Sequence, residues 1–174
     1  MATIDLTPLL GSPLPAPLST VALAADDQTR RLGACLVRQL IPGDLVALIG
    51  DLGAGKTTLV SGMVAALGQP SIASSPTYTL LNLYDTQPPM LHADLWRLER
   101  LEELETTGYW DYVDAGRWVM CVEWLNRVPD AWPGQGTVVA LERDGAGRRA
   151  TIWGFGSVAE RLARALDTFH SESS

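Results

Sequence analysis

Gly50-Asp51-Leu52-Gly53-Ala54-Gly55-Lys56-Thr57 fits the pattern G-x-x-x-x-G-K-[ST], the spelling of a phosphate-binding loop. Glycines let the backbone curl tightly and turn successive N–H groups inward, which makes a concave nest for phosphate oxygens. The loop feeds a helix, whose N-terminal amides and dipole favour the same anion. Lys56 has the reach for the β- and γ-phosphates, and the Thr57 hydroxyl can ligate Mg²⁺.

The flanking sequence supplies the context that the pattern needs. Leu45-Val46-Ala47-Leu48-Ile49 is a continuous apolar run, as a buried parallel strand requires. After the loop, Leu59, Val60, Met63, Val64 and Leu67 recur at helical spacing, with Gly68 as a stop. Lys56 is the only lysine in the chain, and the other 12 basic residues are arginines. Arginine therefore serves wherever a surface charge is wanted, and the one lysine stands where a phosphate loop needs it.

Composition sets the outer bounds. The 174 residues suit one domain with a sizeable core, and 47% hydrophobic with 19% charged residues is ordinary for a globular chain. No apolar run approaches a bilayer-spanning length, and no positive charge precedes the apolar residues of the N-terminus, so a secretory signal is not expected. Cys35 and Cys121 fall within an expected helix and an expected strand, and read as buried thiols of a reducing, cytoplasmic compartment. A net charge of −7 argues against a broad nucleic-acid surface.

Along the chain, residues 1–17 carry prolines at 8, 13, 15 and 17 and read as a loose lead-in. Residues 18–174 read as a single domain. Val21 and Leu23 suggest an edge strand, and Asp26 or Asp27 a cap for a helix bearing Leu32, Leu36 and Leu40 on one face. Leu80 to Tyr84 and Met90 to Asp94 read as antiparallel neighbours across a short turn. Leu98, Leu101 and Leu104 suggest a short helix with an acidic outer face of Glu99, Glu102, Glu103 and Glu105. Trp118 to Val122 is another buried-strand run. Thr137 to Arg143 and Arg148 to Phe155 read as a hairpin around Asp144-Gly145-Ala146-Gly147, and Val158, Leu162, Ala165 and Phe169 mark a last helix. The fold expected is α/β, a three-layer sandwich of the P-loop NTPase kind with a mixed central sheet.

A phosphate loop needs an acid to complete its Mg²⁺ site, and two fit. Asp94 and Glu123 each end an apolar strand and would sit at a sheet edge. Which one ligates the metal and which orients water stays open. Thr77, after the stiffening Pro76, suits a switch residue sensing the γ-phosphate or the metal shell, or a strand-start hydroxyl bonding its own backbone. Trp124 fits a stacking face for adenine or a plain core tryptophan. His92 reads as a packed, hydrogen-bonded histidine. A guanine-reading N-K-x-D cannot exist in a chain whose one lysine is Lys56, and no L-S-G-G-Q stretch marks a transporter ATPase, so adenine is left by elimination. No arginine is identifiable as a finger: Arg97 is nearest in sequence, and Arg148-Arg149 read as surface charge beside a hairpin.

Taken together, Gly50 to Thr58, Ser75-Pro76-Thr77-Tyr78-Thr79-Leu80, His92-Ala93-Asp94-Leu95-Trp96-Arg97-Leu98 and Val122-Glu123-Trp124 resemble the TsaE (YjeE) family, bacterial ATPases of tRNA threonylcarbamoyladenosine biosynthesis. The likeness runs from about residue 19 to residue 155. It implies a small ATPase that binds a TsaB–TsaD heterodimer and supports threonylcarbamoyl transfer to adenosine 37 of tRNA. It implies ATP and Mg²⁺ as cofactors, with Asp51, Leu52, Gly53, Ala54, Gly55, Lys56, Thr57 and Thr58 around the phosphates. Thr57, Asp94 and Glu123 would be near the metal, Thr77 would be the switch, and Trp124 the tryptophan after the glutamate. Contact with tRNA would be indirect, through the partner complex. This sequence departs at Ala93 and Trp96, where the family commonly has Phe and Tyr, and at Leu125-Asn126, where the family's E-W-P-E has Pro and Glu. The rival from the loop alone is a small-molecule kinase, which would need an acceptor pocket and an arginine-bearing lid.

Overall fold

The computed structural model describes residues 4–69 and 80–172. The first half runs α1 (Thr7–Leu10), β1 (Ser19–Leu23), α2 (Asp26–Val37), β2 (Leu45–Ile49), α3 (Lys56–Ala66), β3 (Leu81–Tyr84) and β4 (Met90–Asp94). The second half runs α4 (Leu101–Glu105), α5 (Tyr109–Ala115), β5 (Val119–Glu123), β6 (Gly136–Asp144), β7 (Gly147–Phe155) and α6 (Val158–Glu172), with two 3-10 turns at Leu125–Arg127 and Pro129–Ala131. The expected Thr77 switch lies outside the described residues.

Among the described residues seven strands form one sheet, in the order β1-β7-β6-β2-β5-β4-β3. β2 pairs in parallel with β5 and β6, and β4 in parallel with β5. The flanks are antiparallel, β1 on β7, β7 on β6 and β3 on β4. All five residues of β2, of β4 and of β5 are buried. That explains their unbroken apolar runs, since a strand covered on both faces has no reason to alternate. One face packs under α2, α3 and α6 through Leu32, Leu36, Leu59, Met63 and Leu162. The other is covered by α1, α4, α5 and the 3-10 turns through Leu9, Leu104, Tyr109 and Leu125. The result is the three-layer α/β sandwich with a mixed sheet that the sequence implied.

Several local readings need correction. α2 is capped by neither Asp26 nor Asp27: Ala25 holds the cap position and the two acids sit in the first turn, where they complement the helix dipole. The Ala24 N–H donates to Gln28 Oε1 at 2.5 Å. The acidic helix is shorter than its leucines suggested, and Glu103 is not a free surface charge. Its Oε2 accepts the backbone N–H groups of Glu99 at 2.8 Å and Arg100 at 3.0 Å, which holds its carboxyl below the usual carboxylate range. α5 has no counterpart in the sequence reading; it starts after Gly108 in the left-handed region and is anchored by a fully buried Tyr109. In the proline-rich lead-in, Leu6 and Leu9 are buried against the second face. Trp153 Nε1 donates to Pro15 O at 2.9 Å.

α2 and α3 pack tightly, and two glycines permit it. A Cβ on Gly33 would meet Leu59 O, and one on Gly62 would meet Arg30 O, with Arg30 Cα at 2.6 Å. The contact fixes the axis of α3, and so the aim of the phosphate loop at its start. Gly62→Ala should therefore lower the unfolding free energy by about 1–3 kcal/mol through overpacking, although alanine favours an isolated helix by about 1 kcal/mol. Urea unfolding measures this; a variant as stable as the parent would show that the helices separate freely.

Candidate functional site

The loop begins where β2 ends. Gly50, Gly53 and Gly55 have φ of 154°, 76° and 105°, and the last two values are left-handed conformations that side chains resist. A Cβ on Gly50 would also run into the Leu141 carbonyl of β6. Gly55 caps α3, and Lys56 is the first residue of that helix. The two glycines that spell the motif, and Gly53 between them, are thus backbone requirements.

Lys56 is buried, 4% exposed. Its Nζ donates to Gly50 O at 2.8 Å and Asp51 O at 3.1 Å, and lies 4.1 Å from the centroid of the Trp124 ring. Burial pushes the ammonium below the ordinary lysine range, against the pull of the Glu123, Asp94 and Asp51 carboxylates.

The two acids arrive from neighbouring strands. Asp94 and Glu123 are direct partners in the β4–β5 register, and Glu123 pairs with Leu48 of β2. Glu123 Oε1 accepts the Thr57 hydroxyl at 3.0 Å and lies 2.9 Å from His92 Nε2. Asp94 Oδ1 accepts the Trp96 N–H at 2.9 Å. His92 is fully buried and positions Glu123. Thr57, Asp94 and Glu123 offer only hard oxygen donors, a set that suits Mg²⁺. Among the described residues no group of three or more His, Cys, Asp or Glu could hold a metal alone, so phosphate and water oxygens would have to complete the shell.

A cleft of about 530 Å³ is lined by Leu52, Gly53, Gly55, Lys56, Thr57, Thr58, Asp94, Glu123 and Trp124, together with Trp96 and Arg148. Asp51 and Ala54 face a separate cavity with Ile4 and Leu141. Asp51 touches the site only through its backbone carbonyl. Trp124 has φ 61°, donates its N–H to Leu48 O at 3.1 Å, and leads into the 3-10 turn at Leu125–Arg127. That turn needs neither the proline nor the second acid of the family pattern.

Two contributors escaped the sequence reading. Trp96 packs on Trp124 at 4.4 Å between centroids, and the Arg127 guanidinium lies 5.1 Å from the Trp96 centroid. The departure at residue 96 thus extends an aromatic wall along the cleft. Arg148, taken for surface charge, lies across the loop instead. A Cβ on Gly55 would stand 3.0 Å from its Cδ and its Nε. Only β7 pairing placed it there, a relation no local pattern carries. Arg97 is exposed and does not line the cleft. Among the described residues Cys35 and Cys121 form no disulfide; the Cys35 thiol donates to Ala165 O at 3.6 Å, and Cys121 is buried against Met63.

Comparison with known proteins identifies the family and the fold. The family model described as threonylcarbamoyl adenosine biosynthesis protein TsaE matches residues 23–151. A tRNA threonylcarbamoyladenosine biosynthesis protein TsaE from Bacillus subtilis is 33% identical over 142 residues, 80% of this chain and 88% of that one. One from Nostoc sp. is 38% identical over 115 residues, 64% of this chain and 71% of that one. The crystal structure of YdiB from Bacillus subtilis superposes with a TM-score of 0.72 at 25% identity, covering 90% of this chain and 96% of the other. Matched by that family model over residues 23–151 and by relatives of this similarity, the chain belongs to the TsaE family of tRNA threonylcarbamoyladenosine biosynthesis.

Proposed function

We propose that the chain is a Mg²⁺-dependent ATPase that binds a TsaB–TsaD-type complex and supports threonylcarbamoyl transfer to adenosine 37 of tRNA. The observation that carries the catalytic part is the convergence of Lys56, Thr57, Asp94 and Glu123 on one cleft at the end of β2. Family membership supports the pathway, and a role in tRNA modification supports a cytoplasmic location.

The reaction is in-line attack of water on the γ-phosphorus. Such a site acts mainly by positioning and by neutralising charge. The loop amides and Lys56 hold the phosphates, and Lys56 leaves its carbonyl partners to do so. Thr57, Asp94 and Glu123 would hold Mg²⁺, which when bound neutralises charge on the phosphate oxygens. Asp94 and Glu123 divide metal ligation and orientation of water between them. The His92 contact fixes the Glu123 carboxylate for either task. Trp124 and Trp96 supply an aromatic wall on the acid side of the cleft. Thr77 is retained as the proposed switch residue, and tRNA is reached through the partner complex.

ADP should accumulate from ATP without any added acceptor, which separates this reading from a small-molecule kinase. Lys56→Ala and Asp94→Ala should each lower that rate by about 10²–10³-fold; parent-like rates in both would sink the assignment. Capture of a TsaB–TsaD complex on immobilised protein should differ between ATP, ADP and nucleotide-free conditions. Failure to capture it in all three would remove the partner from the proposal.

A further inference from the structure

The β6–β7 hairpin overhangs the phosphate loop. Pairing of β2 with β6 ends at Ile49 opposite Ala140, while β6 continues to Asp144. Four residues at roughly 3.3 Å each carry the hairpin about 13 Å past the end of β2. Side chains alternate along it. Val139 and Leu141 of β6 and Ala150 and Ile152 of β7 pack on the face that carries α3. By the same alternation Arg143 and Arg148 project to that face, where α3 begins.

These two arginines are directly opposite one another in the register. Their neighbours on the other face, Glu142 and Arg149, are also direct partners and are complementary, 3.9 Å apart. Like charges opposed across a strand pair are destabilising, and here they stand over a loop built for anions. Arg143 Nη2 is 2.8 Å from where a Cβ on Gly53 would be, and Arg148 Nε is 3.0 Å from the same point on Gly55. Among the described residues, Arg148 Nε is buried without a hydrogen-bond partner, and Arg148 Nη2 pairs with a half-exposed Asp26 carboxylate at 3.3 Å. A planar guanidinium with free donors is matched by a phosphate's oxygens.

Sheet order decides which phosphates. The acids come from β5 and β4 on one side of β2, whereas Arg143 and Arg148 come from β6 and β7 on the other. The γ-phosphate must lie toward the acids if water is to attack it. We infer that Arg148 grips the non-transferring phosphates of the bound nucleotide, those that ATP and ADP share, from the side of the loop opposite the acids. The inference rests on the ATPase reading and adds a binding residue to it. Asp26 is a resting partner that the nucleotide replaces.

Calorimetric titration of the full chain with Mg²⁺–ADP and with Mg²⁺–β,γ-imido-ATP tests it. Arg148→Gln should weaken both by the same factor, about 10- to 100-fold, as loss of a charged hydrogen bond does. The loss should appear as a raised KM for ATP, with kcat/KM falling by a similar factor, because uniform binding is lost and not transition-state binding. Arg148→Lys keeps charge and bulk without the fork, so it guards against misfolding, and it should recover only part of the affinity. Asp26→Ala breaks the same ion pair but spares the guanidinium, and should bind ADP at least as tightly as the parent. Unchanged ADP affinity in Arg148→Gln would overturn the inference, as would a fall in kcat alone. A loss in Asp26→Ala equal to that in Arg148→Gln would also overturn it, by making the ion pair a structural tie. If the parent itself bound neither nucleotide, the ATPase reading would fall instead.

Discussion

A buried ammonium governs this molecule. Lys56 sits at the first position of α3, almost out of contact with water, where a charge is costly unless it is compensated. Compensation comes from three directions. Two loop carbonyls accept from Nζ, Trp124 presents its ring, and the carboxylates of Glu123, Asp94 and Asp51 act at longer range. Each depends on a different part of the fold: the loop on the end of β2, Trp124 on the end of β5, and Asp94 on the end of β4. Placing these three strands side by side and in parallel brings the three ends together on one edge.

The layers serve that edge. α3 points its start at the cleft, and its direction is set by close contact with α2 over Gly33 and Gly62. The antiparallel strands widen the sheet, and β6 and β7 also lean over the loop. Trp96 and Trp124 close one wall of the cleft, with Arg127 stacked outside them. The cleft thus has a carboxylate side, a guanidinium side and an aromatic wall.

Much of this was legible in the sequence because it is local. β2, the glycine loop and α3 follow one another within 22 residues, Leu45 to Ala66, and each has its own periodicity or backbone requirement. Asp94 and Glu123 were found because an acid that ends an apolar strand must lie at a sheet edge. Their adjacency needed β4 beside β5, which the sequence did not establish. Arg148 was misread for the same reason: a hairpin is recognised from its turn, but what it overhangs depends on strands far away in sequence. α1 and α5 are short and gain their order from buried Leu9 and Tyr109, a tertiary effect that no propensity encodes. Glu103 looked like one acid among four, until a cap separated it from the others.

The hydrogen bond from Thr57 to Glu123 has a further meaning for how the resting protein behaves. The hydroxyl a metal would use bonds the carboxylate a metal would use, and the lysine a phosphate would use bonds its own loop. Each entering group must displace an internal partner, so bonds are exchanged and few are added. Net attraction then comes from charge, as dianionic phosphate oxygens replace neutral carbonyls around a desolvated cation. Exchange of this kind leaves no polar group stranded on either side of it.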